Sequence, residues 1–330
     1  MKLLVIIFLA TLFIYLLSSP GETPYNYFTR LSASLLDGKL YITDHPSWLN
    51  ELIAIGGKYY IVYPPMPAIV LLPSVFLLGQ YFSQTIFSII LGAINVVLVY
   101  LLFKRLNFSN KTSFFVTIFF AFGTNHWYLA SVGSAWFIAH ITALFFLLLA
   151  LFEVSGKKRF LLDALYNFLR FNNFSPLSPY QLIPGIVNDP IFQQGFMNIA
   201  YIPRHIEAIL LRLPQVQSTW PFLIPSLYST ALWFTSPAFI YIFKAKKSLL
   251  TVACWVAIIA TLLVVSLWGG VGFAQFGYRF AQDFMPFLLI LLAIGIGNKP
   301  SKIFYLLWVL SILVNAWGVI MINKLNIYAI

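Results

Sequence analysis

The chain has 330 residues, of which 61% are hydrophobic and only 9% charged. Soluble domains carry about 25% charged and roughly 45–50% apolar residues, so a water-soluble enzyme, a disordered chain and a disulfide scaffold are excluded; a polytopic membrane protein remains. The net charge of +11 does not point to nucleic acid, because the basic residues sit in short clusters between apolar runs, as topogenic charge does. The one cysteine, Cys254, lies in an apolar run and supports neither a disulfide framework nor a cysteine-based metal site.

In chain order, residues 3–18 predict an uncleaved first helix with its N-terminus in the cytoplasm. Residues 19–66 form a polar outer loop holding Glu22, Asp37, Asp44 and Glu51. Within it, 25–37 reads as an amphipathic surface helix stopped at Gly38, and Gly56-Gly57 reads as a turn. Residues 66–82 are apolar but bracketed by prolines. If they crossed, the next helix, 84–103, would carry Lys104, Arg105 and Lys111 outside, so the charge rule makes 66–82 re-entrant or interfacial. Helix 112–131 then runs out and 134–154 runs in, delivering Lys157-Lys158-Arg159 to the inside.

Helix 221–243 ends in Lys244, Lys246 and Lys247, helix 248–268 runs out, 280–298 runs in to Lys299 and Lys302, and 303–322 runs out. The total is about eight spans in an all-α membrane fold. One conflict follows. An odd number of crossings is needed between 157–159 and 221, yet the only candidate, 160–171, has about 12 residues where a span needs roughly 20. The second outer loop, 172–218, starts proline-rich and ends in RHIEAILLRLP, another interfacial amphipathic helix. The chain divides into an N-terminal module, 1–159, and a C-terminal one, 160–330.

Acids at a membrane face can bind a divalent cation or act as a general base. Glu22, Asp44 and Glu51 are the candidates, with solvated loop charge as the plain alternative. Arg279 and Asp283, spaced i, i+4 at a boundary, fit either a phosphate-facing arginine or an intrahelical salt bridge. Arg204 and His205 precede the second amphipathic helix and fit headgroup snorkelling or phosphate contact. His126 and His140 suit helix–helix hydrogen bonds. Tyr59, Tyr60, Tyr63, Trp127, Tyr128 and Trp136 suit an interfacial belt, with stacking on a sugar as the alternative. Walker, GxSxG, HExxH and Rossmann motifs are absent from the sequence.

The segments PYNYFTRLSASLLDGKLYITDHPSWLNE, GKYYIVYPPMPAIVLLP, FGTNHWYLASVGSAWFIAH, LYNFLRFNNF and GFAQFGYRFAQDFMPF resemble the GT-C glycosyltransferases. That group depends on polyprenol-phosphate sugars and includes protein O-mannosyltransferase-like and aminoarabinose-transferase-like enzymes. The resemblance implies inverting sugar transfer on the outer face of the membrane, from a polyprenyl-phosphate sugar, at a prokaryotic cytoplasmic membrane. It implies an acidic first-loop base, a divalent metal in some members, and Arg279 as a donor-phosphate contact. The acceptor is not implied. The family's usual Asp-Glu pair after the first helix reads Gly21-Glu22 here, so Glu22 serves alone or Asp44 replaces the missing acid. Relatives usually carry more helices where EVSGKKRFLLDALYNFLRF runs directly, which implies an internally shortened chain. A transporter or lipid flippase, with paired broken helices and midplane charge, and an inactive membrane scaffold are the competing readings.

Overall fold

The computed structural model of the protein describes residues 2–43, 45–153, 180–183 and 187–329. It is mostly helical. The first helix, α1 (Lys2–Ser18), leads to the amphipathic α2 (Tyr27–Leu36), with Gly38 just past its end at φ +71°. A hairpin follows, β1 (Leu52–Ile55) and β2 (Lys58–Ile61), antiparallel with Leu52 opposite Ile61 and Ile55 opposite Lys58. Gly56 and Gly57, at φ +56° and +75°, make its two-residue turn, a backbone that glycine adopts without steric cost. Helix α3 (Met66–Leu78) has 13 residues and an internal Pro73. At 1.5 Å per residue it reaches about 20 Å, short of a roughly 30 Å hydrocarbon layer. Its apolar side packs with α2 and the hairpin in a small separate core around Phe28, Leu31, Ile53, Ile61 and Leu71.

Helix α4 (Gln84–Arg105) begins where the Ser83 hydroxyl accepts the Ile86 N–H. The expected 112–131 span is two helices, α5 (Asn110–Phe122) and α6 (His126–Val132). The break falls at Gly123–Asn125 and is buried. There, Ser236 Oγ donates to Gly123 O at 2.8 Å, Asn125 Nδ2 donates to Tyr278 O at 3.0 Å, and Gln282 Nε2 donates to Asn125 Oδ1 at 2.6 Å. Such partners make non-helical backbone tolerable at membrane depth. Helix α7 (Ala135–Glu153) follows. The conflicted stretch 160–171, and the proposed shortening, lie outside the described residues.

In the second outer loop, the short α8 (Ile202–Ile206) runs on as a π turn over Glu207–Leu211. The loop also pairs β3 (Gln215–Val216) with β4 (Leu223–Ile224). The expected helix 221–243 is not one. It is β4, then α9 (Leu232–Thr235), then a 3-10 segment, Pro237–Lys244. Its irregular backbone is enclosed by protein: Ser229, Thr230, Ala231, Ser236 and Ala238 are all fully buried. Asn315 Nδ2 donates to the Thr235 carbonyl at 2.7 Å. Helix α10 (Leu249–Ser266) carries a Ser248–Thr251 capping box. A 3-10 turn, Arg279–Phe284, runs into α11 (Met285–Ile296), and α12 (Lys302–Asn323) closes the order.

Five helices among the described residues are long and apolar enough to cross a membrane: Gln84–Arg105, Ala135–Phe152, Leu249–Ser266, Arg279–Ile296 and Lys302–Asn323. The expected count of about eight is not confirmed among the described residues, where α1 is slightly shorter, 112–131 is broken and 221–243 is irregular. The charge sorting is visible in the packing. At one end, Thr112 Oγ1 donates to Gly297 O at 3.0 Å, Tyr241 hydrogen-bonds Ser301, Arg105 lies over Phe152, and Lys111 lies over Tyr305. That end collects Lys104, Arg105, Lys111, Lys244, Lys299 and Lys302. At the other end, Asn323 Nδ2 donates to Ser18 O at 3.1 Å, and Gln84 Nε2 donates to Gly133 O and Tyr25 O.

Candidate active site

The hairpin and α2 hang over the end of the bundle opposite the basic clusters, and a cavity of about 1050 Å³ opens beneath them. Glu51, the residue before β1, enters it. Its backbone N–H donates to the Tyr27 hydroxyl at 3.2 Å, fixing the start of the strand, and its Oε2 accepts the Trp136 Nε1–H at 3.1 Å. Trp136, Ala139 and His140 of α7 line the cavity together, because i, i+3 and i+4 share a helix face. Tyr25 packs against Trp136 with ring centroids 4.8 Å apart. On the far wall Arg279 opens the 3-10 turn, with its guanidinium 5.2 Å from the Phe280 ring centroid. Arg279 Nε is buried and has no hydrogen-bond partner among the described residues.

Burial pushes the Glu51 carboxyl up to about 7, against the opposing pull of the Trp136 N–H and the Arg279 charge. A carboxyl poised there is half ionised at neutral pH, as a general base requires. Arg279 faces two carboxylates, Glu51 and Asp283. Of these, Asp283 accepts a hydrogen bond from His140, Nδ1 to Oδ1 at 3.0 Å. The intrahelical alternative for Arg279 and Asp283 thus gives way to a bond between α7 and the 3-10 turn.

The remaining candidates separate. Arg204 lines the cavity, held by the Gly269 and Ile191 carbonyls and lying over the Tyr201 ring. His205 points into protein instead. Its Nε2–H donates to Trp268 O at 2.9 Å and its Nδ1 accepts the Tyr278 hydroxyl at 2.7 Å. Burial, with the Arg204 and Arg212 charges, lowers its proton affinity, while the Trp268 carbonyl partly restores it. It ties the second loop to the base of the Arg279 turn. Glu22 is exposed and accepts a hydrogen bond from Ser83, the cap of α4; it does not line this cavity. Asp44 lies outside the described residues.

Trp127 and Tyr128, expected in an interfacial belt, are buried, bonded to Ser18 Oγ and Ala274 O. His126 makes the expected helix–helix bond, to Gly92 O at 3.2 Å. Trp136 and His140 are the residues whose part in the cavity the sequence did not reveal; their i, i+4 spacing was the available signal. Among the described residues, no three His, Cys, Asp or Glu side chains gather as a metal would need. An arginine shares the cavity with its central acid. The described donor set does not fit a divalent ion.

Residues 2–159, just under half of the chain, match the family model described as dolichyl-phosphate-mannose-protein mannosyltransferase. No curated protein and no solved structure matches the chain.

Proposed function

We propose that the chain, whose residues 2–159 match the dolichyl-phosphate-mannose-protein mannosyltransferase family model, is a GT-C-like membrane glycosyltransferase that moves a sugar from a polyprenyl-phosphate donor to an acceptor hydroxyl in the Glu51 cavity. The observation that carries this reading is Glu51, its carboxyl pushed up to about 7, facing Arg279, whose Nε has no hydrogen-bond partner among the described residues, across a cavity that Asp189, Arg204 and Arg212 also line. The acceptor O–H proton goes to the Glu51 carboxylate as the oxygen attacks the anomeric carbon. The bond from that carbon to the phosphate oxygen breaks on the opposite face, so configuration inverts. The electron pair leaves with polyprenyl phosphate, and the added negative charge falls beside Arg279, with Arg204 further along the wall. Arginine suits this task through its planar fork of donors.

The transporter reading would need broken helices whose freed groups line a cavity. The breaks at Gly123–Asn125 and Ser236 are bonded to each other and buried instead. The test is release of polyprenyl phosphate from a polyprenyl-phosphate mannose donor by the purified protein. Arg279→Met should lower the rate about 10²–10³-fold with folding intact. Wild-type protein that releases no polyprenyl phosphate, or an Arg279→Met variant as fast as wild type, would refute the proposal.

A further inference from the structure

The cavity has two levels. Glu51, Trp136 and Arg279 form the outer one. One helical turn along α7 from Trp136, about 6 Å further into the layer, His140 also lines the cavity. One turn along from Arg279, Asp283 meets it, Nδ1 to Oδ1 at 3.0 Å. The imidazole edge is fixed further by Phe280, with centroids 5.4 Å apart and planes at 79°.

The described histidines differ in their surroundings: His126 is fully buried in protein and bonds Gly92 O. His205 has both ring nitrogens bonded to protein. The side chain of His140 has one nitrogen bonded to Asp283, and Nε2 has no hydrogen-bond partner among the described residues while the residue borders the cavity. Ionisable groups inside a span are costly and mark a functional site by default. A carboxylate that holds one imidazole nitrogen orients the other toward a ligand.

We propose that His140 is a second contact to the phosphate of the lipid donor, made through Nε2, with Asp283 as its positioning residue. The inference rests on the reading of the cavity as a polyprenyl-phosphate-sugar site. Depth supports phosphate over acceptor. The lipid tail of the donor stays in the bilayer, so its phosphate sits at the level nearer the layer, and the acceptor arrives at the loop level, beside Glu51. Bound to a phosphate oxygen, Nε2 is the donor while Nδ1 stays held by Asp283, so that Arg279 and His140 flank the anion from the two walls. No covalent step is assigned to His140.

The test is equilibrium binding to the full-length protein in nanodiscs, with polyprenyl phosphate and unphosphorylated polyprenol as the two probes. The wild type should prefer the phosphate. His140→Gln and the near-isosteric Asp283→Asn should each weaken polyprenyl phosphate binding about tenfold and leave polyprenol binding unchanged, which also reports an intact fold. A wild-type preference that both variants keep overturns this inference alone. Equal weakening for both probes assigns the pair to packing and also overturns it. A wild type that does not distinguish the probes overturns the cavity reading as well.

Discussion

Replacing Trp136 with phenylalanine removes the indole N–H and leaves a smaller aromatic ring against Tyr25. The lost contact is the indole N–H to Glu51 Oε2 at 3.1 Å, one of the influences holding the carboxyl down against burial. A hydrogen bond to a charged group is worth about 1.5–3 kcal/mol, or about 1–2 pH units at 1.36 kcal/mol per unit. The cavity admits water, which replaces part of the loss, so the net shift should be about one unit upward. In the proposed mechanism the working form of Glu51 is the carboxylate, which is about half populated at pH 7 when the carboxyl is pushed up to about 7. In Trp136→Phe that fraction falls to about a tenth, so the rate at pH 7 should drop about fivefold while the high-pH plateau is kept. The assay is the pH–rate profile of polyprenyl phosphate release. An acidic limb that stays in place, or moves to lower pH, in a folded variant that still binds donor would refute the role given to Glu51.

Three further outcomes follow from the fold. A methyl group on Gly295 would run into the Tyr241 carbonyl oxygen where α11 crosses the 3-10 segment; Gly295→Ala should cost at least about 1–3 kcal/mol, read as a lowered Tm, and an unchanged Tm would contradict the packing. His205 holds a proton less well folded than unfolded, so its contribution to stability is complete above the ordinary value of 6.5 and is lost as pH falls below it. The apparent Tm should therefore decline on acidification in the wild type and more weakly in His205→Gln, and equal declines would oppose this. Cysteines placed as Asn107→Cys and Lys58→Cys should label from opposite sides of the membrane with an impermeant reagent, since the native Cys254 is buried; labelling from one side would break the charge sorting.

Local signals carried the long helices. Uninterrupted apolar runs opened by Ser83, Ser248 and Ser301 caps mark α4, α10 and α12, and Gly56-Gly57 marks the hairpin turn. Apolar composition does not report continuity, however. The breaks at Gly123 and Ser236 are stabilised by groups 113 positions apart in the chain, and no window of sequence contains both. The site shows the same division. Glu22 and Glu51 look alike as loop acids, and only the fold separates an exposed residue bonded to the Ser83 helix cap from one enclosed with Trp136 and Arg279. Arg204 and His205 are neighbours in sequence, yet one lines the cavity and the other is locked between Tyr278 and Trp268.

The choice between the two loop acids is the most direct test. Release of polyprenyl phosphate from radiolabelled polyprenyl-phosphate mannose should be compared for wild type, Glu51→Gln and Glu22→Gln, each confirmed folded. Loss of the base should lower the rate of Glu51→Gln about 10²–10⁴-fold, while Glu22→Gln keeps most of the wild-type rate. A Glu51→Gln protein that turns over at the wild-type rate while Glu22→Gln is inactive would contradict the assignment of the chemistry to the Glu51 cavity.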